Sequence, residues 1–281
     1  MLDKYKRDIN YLRVSVTDRC NLRCVYCMPK EGVSLIGHND ILTYEEMLRI
    51  IRIAQKLGIV KVRVTGGEPL VRRGVTGFLG ELSRLGFEDI SLTTNGILLE
   101  TFAEPIRRAG VSRVNVSLDS LDPERYARIT RGGDLSTVLR GLERAEQVGF
   151  SPIKINVVTV RGFNDDEALS FARLTLEKPY EIRFIELMPI GGEKGSDDKY
   201  VSNDELMERI GRVGSLHPVE REGGERNFRD HAPRKVSLGL RRKYDLGAPV
   251  ERQLLTPCAA GREHGRRRPI VGVILIVHRA A

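Results

Sequence analysis

Residues 11–29, YLRVSVTDRCNLRCVYCMP, join a short β-rich run to a loop that carries three closely spaced cysteines. The first part, Tyr11–Thr17, is typical of a buried parallel strand, because it is short and rich in β-branched side chains. A unit of the same kind, a β-rich run followed by a turn and an amphipathic stretch, recurs from Asn10 to about Ile190. Such repeats predict an α/β fold with a parallel sheet and outer helices, either doubly wound or curled into an incomplete barrel.

The sequence predicts six strands and six helices in alternation. The predicted helix over Thr43–Leu57 has a capping box, since Thr43 stands three residues before Glu46, and it ends at Gly58. The other strands are Lys61–Thr65, Asp89–Thr94, Arg113–Leu118, Ile153–Val160 and Glu181–Leu187, and the other helices are Val75–Leu85, Ile97–Ala109, Ser136–Val148, Asp165–Leu176 and Asn203–Ile210.

Polar residues lie at the carboxyl ends of five of the predicted strands. In parallel α/β sheets, binding and catalytic groups belong at the carboxyl ends of the strands. Each group taken alone is equally well explained by a solvated turn, but five groups in phase favour a shared site at one mouth of the sheet. The groups are Thr17-Asp18-Arg19, Thr65-Gly66-Gly67-Glu68, Thr94-Asn95-Gly96, Asp119-Ser120 and Glu186.

The composition bounds the class of protein. The 281 residues are 41% hydrophobic and 30% charged, which provides for a sizeable core and excludes wholesale disorder. No secretory signal is visible, and the longest apolar run, Ile270–Val277, is too short to span a bilayer. We therefore expect a cytoplasmic protein with no membrane partner. No Walker loop, HExxH helix or Gly-x-Ser-x-Gly elbow is present.

The formal net charge of +8 is confined to the C-terminal segment, residues 221–281. Residues 1–220 carry 32 basic and 32 acidic side chains, whereas the C-terminal segment carries 14 basic and 6 acidic ones. The segment has no sustained period of two or 3.6 residues, so we expect a poorly defined extension. The sequence therefore predicts two parts, a barrel over residues 1–220 and a basic C-terminal segment.

Three of the four cysteines, Cys20, Cys24 and Cys27, form a C-x3-C-x2-C pattern directly after the first strand. A disulfide would leave one thiol unpaired and does not suit a cytoplasmic chain. A structural zinc site lacks an obvious fourth ligand, for which His38 and Cys258 are the only candidates. The third alternative is an iron–sulfur cluster with three thiolate ligands, which leaves one iron open to a small molecule.

Two motifs resemble the radical SAM superfamily. The cysteine pattern, with the aromatic Tyr26 before its last cysteine, resembles the superfamily's cluster loop. The run Gly66-Gly67-Glu68-Pro69 resembles its glycine-rich motif, whose backbone groups bind the methionine part of S-adenosylmethionine (SAM). The resemblance implies an incomplete (β/α)6 TIM-like barrel, one [4Fe-4S] cluster on the three cysteines, and SAM as cofactor.

Longer stretches resemble the GTP 3′,8-cyclase family of molybdenum cofactor biosynthesis over roughly residues 1–215. Besides residues 11–29, they are VRVTGGEPLVRR, LTTNG, VNVSLDSLDPERYARITRGG and RFIELMPIG. Cations in predicted buried strands need compensation, which a triphosphate would give, although pairing with a local carboxylate is the alternative for each one alone. The resemblance implies that Cys20, Cys24 and Cys27 ligate the cluster, that Tyr26, Gly66, Gly67, Glu68, Pro69, Ser117 and Met188 contact SAM, and that Arg13, Arg63, Thr94 and Lys154 contact GTP.

The same resemblance implies a reaction. In the family, reduction of the cluster cleaves SAM to methionine and a 5′-deoxyadenosyl radical, which removes the 3′ hydrogen of GTP. The ribose radical then closes onto C8 of guanine and gives (8S)-3′,8-cyclo-7,8-dihydroguanosine 5′-triphosphate. The resemblance implies GTP as the substrate and an electron donor as a partner, and it is compatible with a homodimer.

The chain departs from the family pattern after about Arg226. The family has a second cluster domain with three further cysteines and ends in two glycines, whereas this region has Cys258 alone and ends in Ala280-Ala281. A second cluster is therefore not supported, and we expect an impaired guanine site. Translation in a shifted reading frame would produce such a segment, and a genuine variant segment is the alternative.

Two other functions are compatible with the sequence. A radical SAM enzyme acting on another substrate would not need the second cluster. A non-catalytic protein could bind nucleic acid weakly through the basic C-terminal segment. That segment has no interleaved aromatic pattern and no known module, which disfavours nucleic acid as a partner. GTP dependence distinguishes the two enzymes, and iron content distinguishes both from the third function.

Overall fold

Six parallel strands, β1 to β6, form the main sheet and follow one another in space as they do in sequence. The structure is a computed structural model that describes residues 9–32, 37, 40–187, 197–212, 217–219, 227–229 and 235–238. The strands are β1 Tyr11–Ser15, β2 Lys61–Thr65, β3 Asp89–Thr94, β4 Arg113–Ser117, β5 Ile153–Thr159, β6 Tyr180–Glu186, β7 His217–Val219, β8 Asn227–Arg229 and β9 Lys235–Leu238, and the helices are α1 Tyr44–Lys56, α2 Val75–Ser83, α3 Leu99–Arg108, α4 Pro123–Thr130, α5 Leu135–Gln147, α6 Ala168–Glu177 and α7 Asn203–Gly211.

The two faces of the sheet differ in polarity. Alternate residues such as Leu12, Val62 and Val114 are fully buried and share one core with helix residues such as Met47 and Phe171. The intervening residues point to the opposite face, because successive side chains of a strand alternate. We call this opposite, largely polar face the inner face. It follows that the helices seal one side of the sheet and leave the inner face for ligands.

The predicted incomplete barrel of six parallel strands is confirmed, since within the described residues β1 pairs with β2 alone and the barrel stays open. The sequence did not predict α4, which is only eight residues long. Asp122 caps this helix by accepting the N–H of Arg125, and Pro123 is its first residue. This Asp-Pro pair is a helix-start signal that was available in the sequence.

Three short strands extend the sheet beyond β6, where the sequence predicted none. Strand β9 runs parallel to β6, and β8 and β7 follow in antiparallel pairs. Strands of three or four residues are too short to produce a periodic signal. The rest of the C-terminal segment, with Cys258, lies outside the described residues. No helix in the described part of the chain is long and apolar enough to cross a membrane.

Candidate active site

The three cysteines lie in the cysteine loop, residues 20–29, which leaves the carboxyl end of β1. The N–H groups of Cys27 and Met28 both donate to the carbonyl oxygen of Cys24, which turns the chain tightly between the second and third thiols. All three thiols are free, so the disulfide alternative is not realised. Among the residues that the structure describes, no three His, Cys, Asp or Glu side chains converge as the ligands of a single metal ion do.

The thiols interact electrostatically with one another. Burial is the main reason why the pKa of Cys24 is raised to about 12, and the charges of Asp119, Cys27 and Cys20 act in the same direction. Burial also raises the pKa of Cys27, and the charges of Cys20 and Asp119 act in the same direction. A positively charged metal centre has the opposite effect, because it lowers the pKa of its thiol ligands and deprotonates them. The three thiols therefore suit a bound cationic group.

Cys20 already receives hydrogen bonds of the kind that iron–sulfur ligands accept. The backbone N–H of Leu22 lies 3.4 Å from its Sγ, and the side-chain Nδ2 of Asn95 lies 3.7 Å away. Such N–H···S contacts tune cluster potentials in proteins. The donor set of three free thiols, with amide groups directed at one of them, fits an iron–sulfur cluster.

The glycine turn, Gly66 and Gly67, packs directly against residues 17–19, which lead from β1 into the cysteine loop. A methyl group on Gly67 would lie 2.3 Å from the carbonyl oxygen of Arg19, and one on Gly66 would lie 2.6 Å from that of Thr17. Only glycine permits this approach. The N–H of Gly67 donates to Thr17 at 2.6 Å, and that of Glu68 donates to Arg19 at 2.8 Å. These two N–H groups are already paired, whereas the carbonyl oxygens of the turn are hydrogen-bond acceptors that remain for a ligand. The turn therefore suits a ligand that donates hydrogen bonds, such as an amine.

Glu68 fastens the glycine turn to the end of β3. Its carboxylate is 1% exposed and accepts the N–H of Leu70 at 3.0 Å, the hydroxyl of Thr94 at 2.9 Å and the N–H of Asn95 at 2.6 Å. Burial raises the pKa of Glu68 against the effect of these bonds. The side chains of Glu68 and Thr94, both predicted to contact ligands, are thus engaged with each other, and Pro69 is buried beside them.

Asp119 has a position at the site that the sequence noted only as a polar strand end. Its carboxylate follows β4 and accepts the hydroxyl of Tyr26 and the N–H of Val158. Burial is the main reason why its pKa is raised to about 6, although both hydrogen bonds act in the opposite direction. The carboxylate therefore joins the cysteine loop to the ends of β4 and β5.

The inner face of the sheet is rich in cations. Arg63 stacks over the ring of Tyr11 at 5.3 Å, and its Nε lies 3.4 Å from the hydroxyl of Ser91. Burial is the main reason why the pKa of Arg63 is lowered to about 10, and neighbouring cations contribute. The charged side chains of this face are Arg13, Lys61, Arg63, Arg113, Lys154 and Arg183, beside the carboxylates of Asp89 and Glu181.

Two carboxylates balance part of this charge. Asp89 accepts two hydrogen bonds from the guanidinium of Arg113. Glu181, which is 1% exposed, is shared by Lys154 and Arg183 at 3.2 Å each. The predicted GTP contact Lys154 therefore has the local partner that the simpler alternative required. Arg183 was not predicted, although its alternation with buried Ile182 and Phe184 was a signal for an inward position.

The other predicted contact residues lie at different distances from the carboxyl ends of the strands on the inner face. Ser117 is the last residue of β4, close to the cysteine loop, whereas Arg13 and Arg63 are register partners deeper in β1 and β2. The structure therefore puts the predicted cofactor contacts at the strand ends and the predicted triphosphate contacts farther down. Met188 lies outside the described residues.

Comparisons with known proteins identify the family. The model of the Radical SAM superfamily matches residues 14–175. A GTP 3′,8-cyclase from Alkaliphilus metalliredigens (strain QYMF) is 52% identical over 212 residues, which are 75% of this chain and 66% of that protein. A GTP 3′,8-cyclase from Moorella thermoacetica is 52% identical over 233 residues, which are 82% of this chain and 72% of that protein. The chain belongs to the GTP 3′,8-cyclase family of radical SAM proteins. It spans about two thirds of the length of the first of these relatives.

Solved structures agree with the fold of this radical SAM family. The crystal structure of methylornithine synthase matches with a TM-score of 0.58 at 16% identity, over 73% of this chain and 62% of that one. Streptococcus suis SuiB bound to a precursor peptide matches with a TM-score of 0.57 at 18% identity, over 74% of this chain and 46% of that one. At such low identity these matches show the shared fold alone.

Proposed function

We propose that this chain is a radical SAM enzyme that converts GTP to (8S)-3′,8-cyclo-7,8-dihydroguanosine 5′-triphosphate in molybdopterin biosynthesis. The observation that carries the proposal is the cation-rich inner face of the sheet, which leads up to a loop of three free thiols. The thiol loop suits radical chemistry and the cations suit a triphosphate. The relatives at 52% identity, both GTP 3′,8-cyclases, support GTP as that triphosphate.

The cofactor side of the site is made of the cysteine loop and the strand ends. Cys20, Cys24 and Cys27 would hold a [4Fe-4S] cluster, which together with SAM would supply a carbon radical able to remove a hydrogen atom from ribose. The residues that would contact SAM are Tyr26, Gly66, Gly67, Ser117 and Met188. Glu68 and Pro69 would also contact SAM, and Thr94, whose hydroxyl donates to Glu68, would contact GTP.

The substrate side of the site is made of the inner face. Arg13, Arg63 and Lys154 would bind the triphosphate, and the position of Arg183 beside Glu181 adds it to this set. The lowered pKa of Arg63 indicates that its charge is poorly compensated without a ligand. A polyanion bound there would supply the missing compensation, and the planar guanidinium suits phosphate oxygens.

The proposal also includes the roles of the two parts of the chain, the number of clusters, and the source and place of their reduction. The barrel over residues 1–220 carries the chemistry, and the described part of the basic C-terminal segment adds only the short strands β8 and β9 at the edge of its sheet. One cluster is present, because Cys258 is the only cysteine outside the loop. An electron donor reduces the cluster in the cytoplasm. A radical SAM reaction on a substrate other than GTP is the second candidate, favoured by the scarcity of cysteines after residue 221.

The test of this proposal is anaerobic. The full chain is reconstituted with iron and sulfide and reduced, and 5′-deoxyadenosine formation from SAM is measured with and without GTP. We expect GTP to stimulate the reaction and a cyclised nucleotide to form. Cleavage of SAM that ignores GTP would support the second candidate. A chain that takes up no iron would contradict both enzyme functions.

Two matched variants test the assignment of the cysteines. Cys24→Ser removes one of the three loop thiols, and we expect it to lose bound iron together with SAM cleavage. Cys258→Ser removes the only thiol outside the loop, and we expect it to keep both. Loss of iron from the Cys258 variant would contradict a single cluster held by the loop.

A further inference from the structure

Asn115 is a buried amide on the inner face of β4. Its register partners are Thr93 on β3 and Lys154 on β5. It alternates with the buried Val114 and Val116, which face the helices, so its side chain points to the inner face. Asn115 is 1% exposed. The amide therefore lies on the inner face with its polar atoms shielded from solvent.

The amide oxygen of Asn115 accepts no hydrogen bond from any residue that the structure describes. Its amide nitrogen donates to the carbonyl oxygen of Leu92 at 3.3 Å, which fixes the orientation of the group. Buried polar atoms in proteins nearly always have a partner, and an unpaired one needs an explanation. Here the missing partner must be a hydrogen-bond donor.

We propose that Oδ1 of Asn115 accepts a hydrogen bond from a ribose hydroxyl of the substrate nucleotide, an inference that rests on the proposed function. Triphosphate oxygens of GTP only accept hydrogen bonds, so they suit Arg and Lys and cannot satisfy this oxygen. The donors of GTP are the ribose hydroxyls and the N–H groups of guanine. The amide oxygen of Asn115, which lies among the cations of the inner face, is therefore suited to bind the nucleoside part of the substrate.

The position of Asn115 favours the ribose over the base. Its register partner Lys154 is a proposed triphosphate contact, and Ser117, a proposed SAM contact, is two residues farther along β4. Two residues of a strand span about 7 Å. The ribose connects the triphosphate to the base, and its C3′ must meet the cofactor. Asn115 lies at the level of Lys154, and the ribose is the part of GTP that follows the triphosphate toward the cofactor, so it is the nearest part of the nucleotide that carries donors.

The contact would make Asn115 a specificity-determining residue, because a nucleotide without the hydroxyl leaves the amide oxygen unpaired. Sites built to hydrogen-bond a substrate hydroxyl reject analogues that lack it for this reason. The expected consequence is discrimination between ribonucleotides and deoxyribonucleotides that depends on one side chain.

The test is a binding cycle with the full, anaerobically reconstituted chain. Dissociation constants are measured calorimetrically for GTP, 2′-deoxy-GTP, 3′-deoxy-GTP and inosine triphosphate, with the wild-type chain and with Asn115→Leu. We expect the wild-type chain to bind at least one deoxy analogue about tenfold more weakly than GTP, the effect of one lost hydrogen bond. The Leu variant should bind GTP as weakly as that analogue and no longer distinguish the two.

Thr159→Val is the matched control. Its hydroxyl is also buried and unpaired among the described residues, but it belongs to the helix-facing side of β5. We expect this variant to keep both the affinity for GTP and the discrimination. Asn115→Ala replaces the leucine variant if the latter fails to fold, and the wild-type comparison stands without either.

Three outcomes would overturn the inference while GTP binding, and with it the proposed function, stands. In the first, the wild-type chain binds both deoxy analogues as tightly as it binds GTP. In the second, the Asn115 variant distinguishes GTP from the deoxy analogue as the wild-type chain does. In the third, the variant loses discrimination against inosine triphosphate alone, which would assign the oxygen to the guanine amino group. A wild-type chain that binds no GTP would instead contradict the proposed function itself.

Discussion

The hydroxyl of Tyr26 donates a 2.6 Å hydrogen bond to Oδ2 of Asp119 and thereby joins the cysteine loop to the end of β4. Asp119 is 3% exposed, and its Oδ1 accepts the N–H of Val158 on β5 at 2.8 Å. Because Tyr26 stands between Cys24 and Cys27, one buried carboxylate holds the loop against two strands. The cysteine geometry therefore depends on a contact 93 residues away along the chain.

We predict that Tyr26→Phe weakens both the fold and the hold on the cluster. The change keeps the ring but leaves the buried carboxylate of Asp119 with one donor fewer. Losing a hydrogen bond to a buried charged group costs about 1–3 kcal/mol in the free energy of unfolding. Iron should leave the reconstituted variant faster than the wild type in the presence of a chelator, as followed by absorbance.

Tyr44→Phe is the control for the Tyr26 variant. Its hydroxyl lies 3.5 Å from the carbonyl oxygen of Arg72, at the limit of a hydrogen bond, and Arg72 is not part of the cysteine loop. We expect its iron release to match the wild type. Equal release rates for the two Phe variants would show that the contact with Asp119 does not hold the loop.

The raised pKa of Asp119 predicts a specific pH dependence of stability. The folded value is about 6, whereas an unfolded aspartate titrates at about 3.9. Between these values the folded chain binds more protons, so the free energy of unfolding falls as the pH rises from about 4 to about 6. Asp119→Asn lacks this loss. Its stability relative to the wild type should therefore improve by roughly 1–3 kcal/mol between pH 4 and pH 7. Urea unfolding of both chains at the two pH values measures the effect, and a constant difference would contradict it.

We predict that the Arg63 side chain strengthens GTP binding but lowers the stability of the ligand-free chain. Its charge is partly desolvated and lies beside other cations, so Arg63→Met is expected to stabilise the ligand-free chain by about 1–2 kcal/mol after allowance for solvent. The same variant should bind GTP at least about tenfold more weakly, because it loses a phosphate contact. Thermal unfolding and calorimetric titration measure the two effects.

Arg108→Met is the control for the Arg63 variant. Arg108 pairs with Glu104 on the outside of α3, and its side chain is 78% exposed. Exposed pairs of this kind contribute little, so neither stability nor GTP binding should change much. If the Arg63 variant lost stability as well as affinity, its side chain would be a structural element of the sheet.

Gly67→Ala should disrupt the contact between the glycine turn and the cysteine loop. The added methyl would lie 2.3 Å from the carbonyl oxygen of Arg19, which is backbone and cannot move aside alone. We expect a loss of about 1–3 kcal/mol in the free energy of unfolding and weaker SAM binding. Gly77→Ala, in α2 with nothing within 4 Å of the new methyl, should instead gain about 0.5–1 kcal/mol. Similar effects of both changes would contradict the close packing at Gly67.

The sequence was sufficient to predict the six parallel strands, because each is a β-branched run followed by a turn and an amphipathic helix. The boundary residues were also close. Thr43 caps α1 with the predicted capping box, and the predicted strands β2 and β3 have the observed bounds. These features are local, since they depend on residues within a few positions of one another.

The contacts that assemble the site could not be predicted in the same way. The bonds from Thr94 and Asn95 to Glu68, and from Tyr26 to Asp119, join residues that are 26 to 93 positions apart. They depend on the register of neighbouring strands and on the course of the loops, which spacing along the chain does not specify. The inward position of Arg183 could be read from its alternation with Ile182 and Phe184, but the ion pair of Lys154 with the Glu181 beside it depends on the register of β5 and β6.

Transfer of a label from GTP would show directly whether the radical acts on a nucleotide bound to this chain. The reconstituted chain is given SAM, reductant and GTP that carries deuterium at C3′, and the 5′-deoxyadenosine formed is weighed by mass spectrometry. We predict that the product gains one deuterium, because the radical removes the 3′ hydrogen of a nucleotide held on the inner face. Unlabelled 5′-deoxyadenosine, formed at the same rate without GTP, would contradict it.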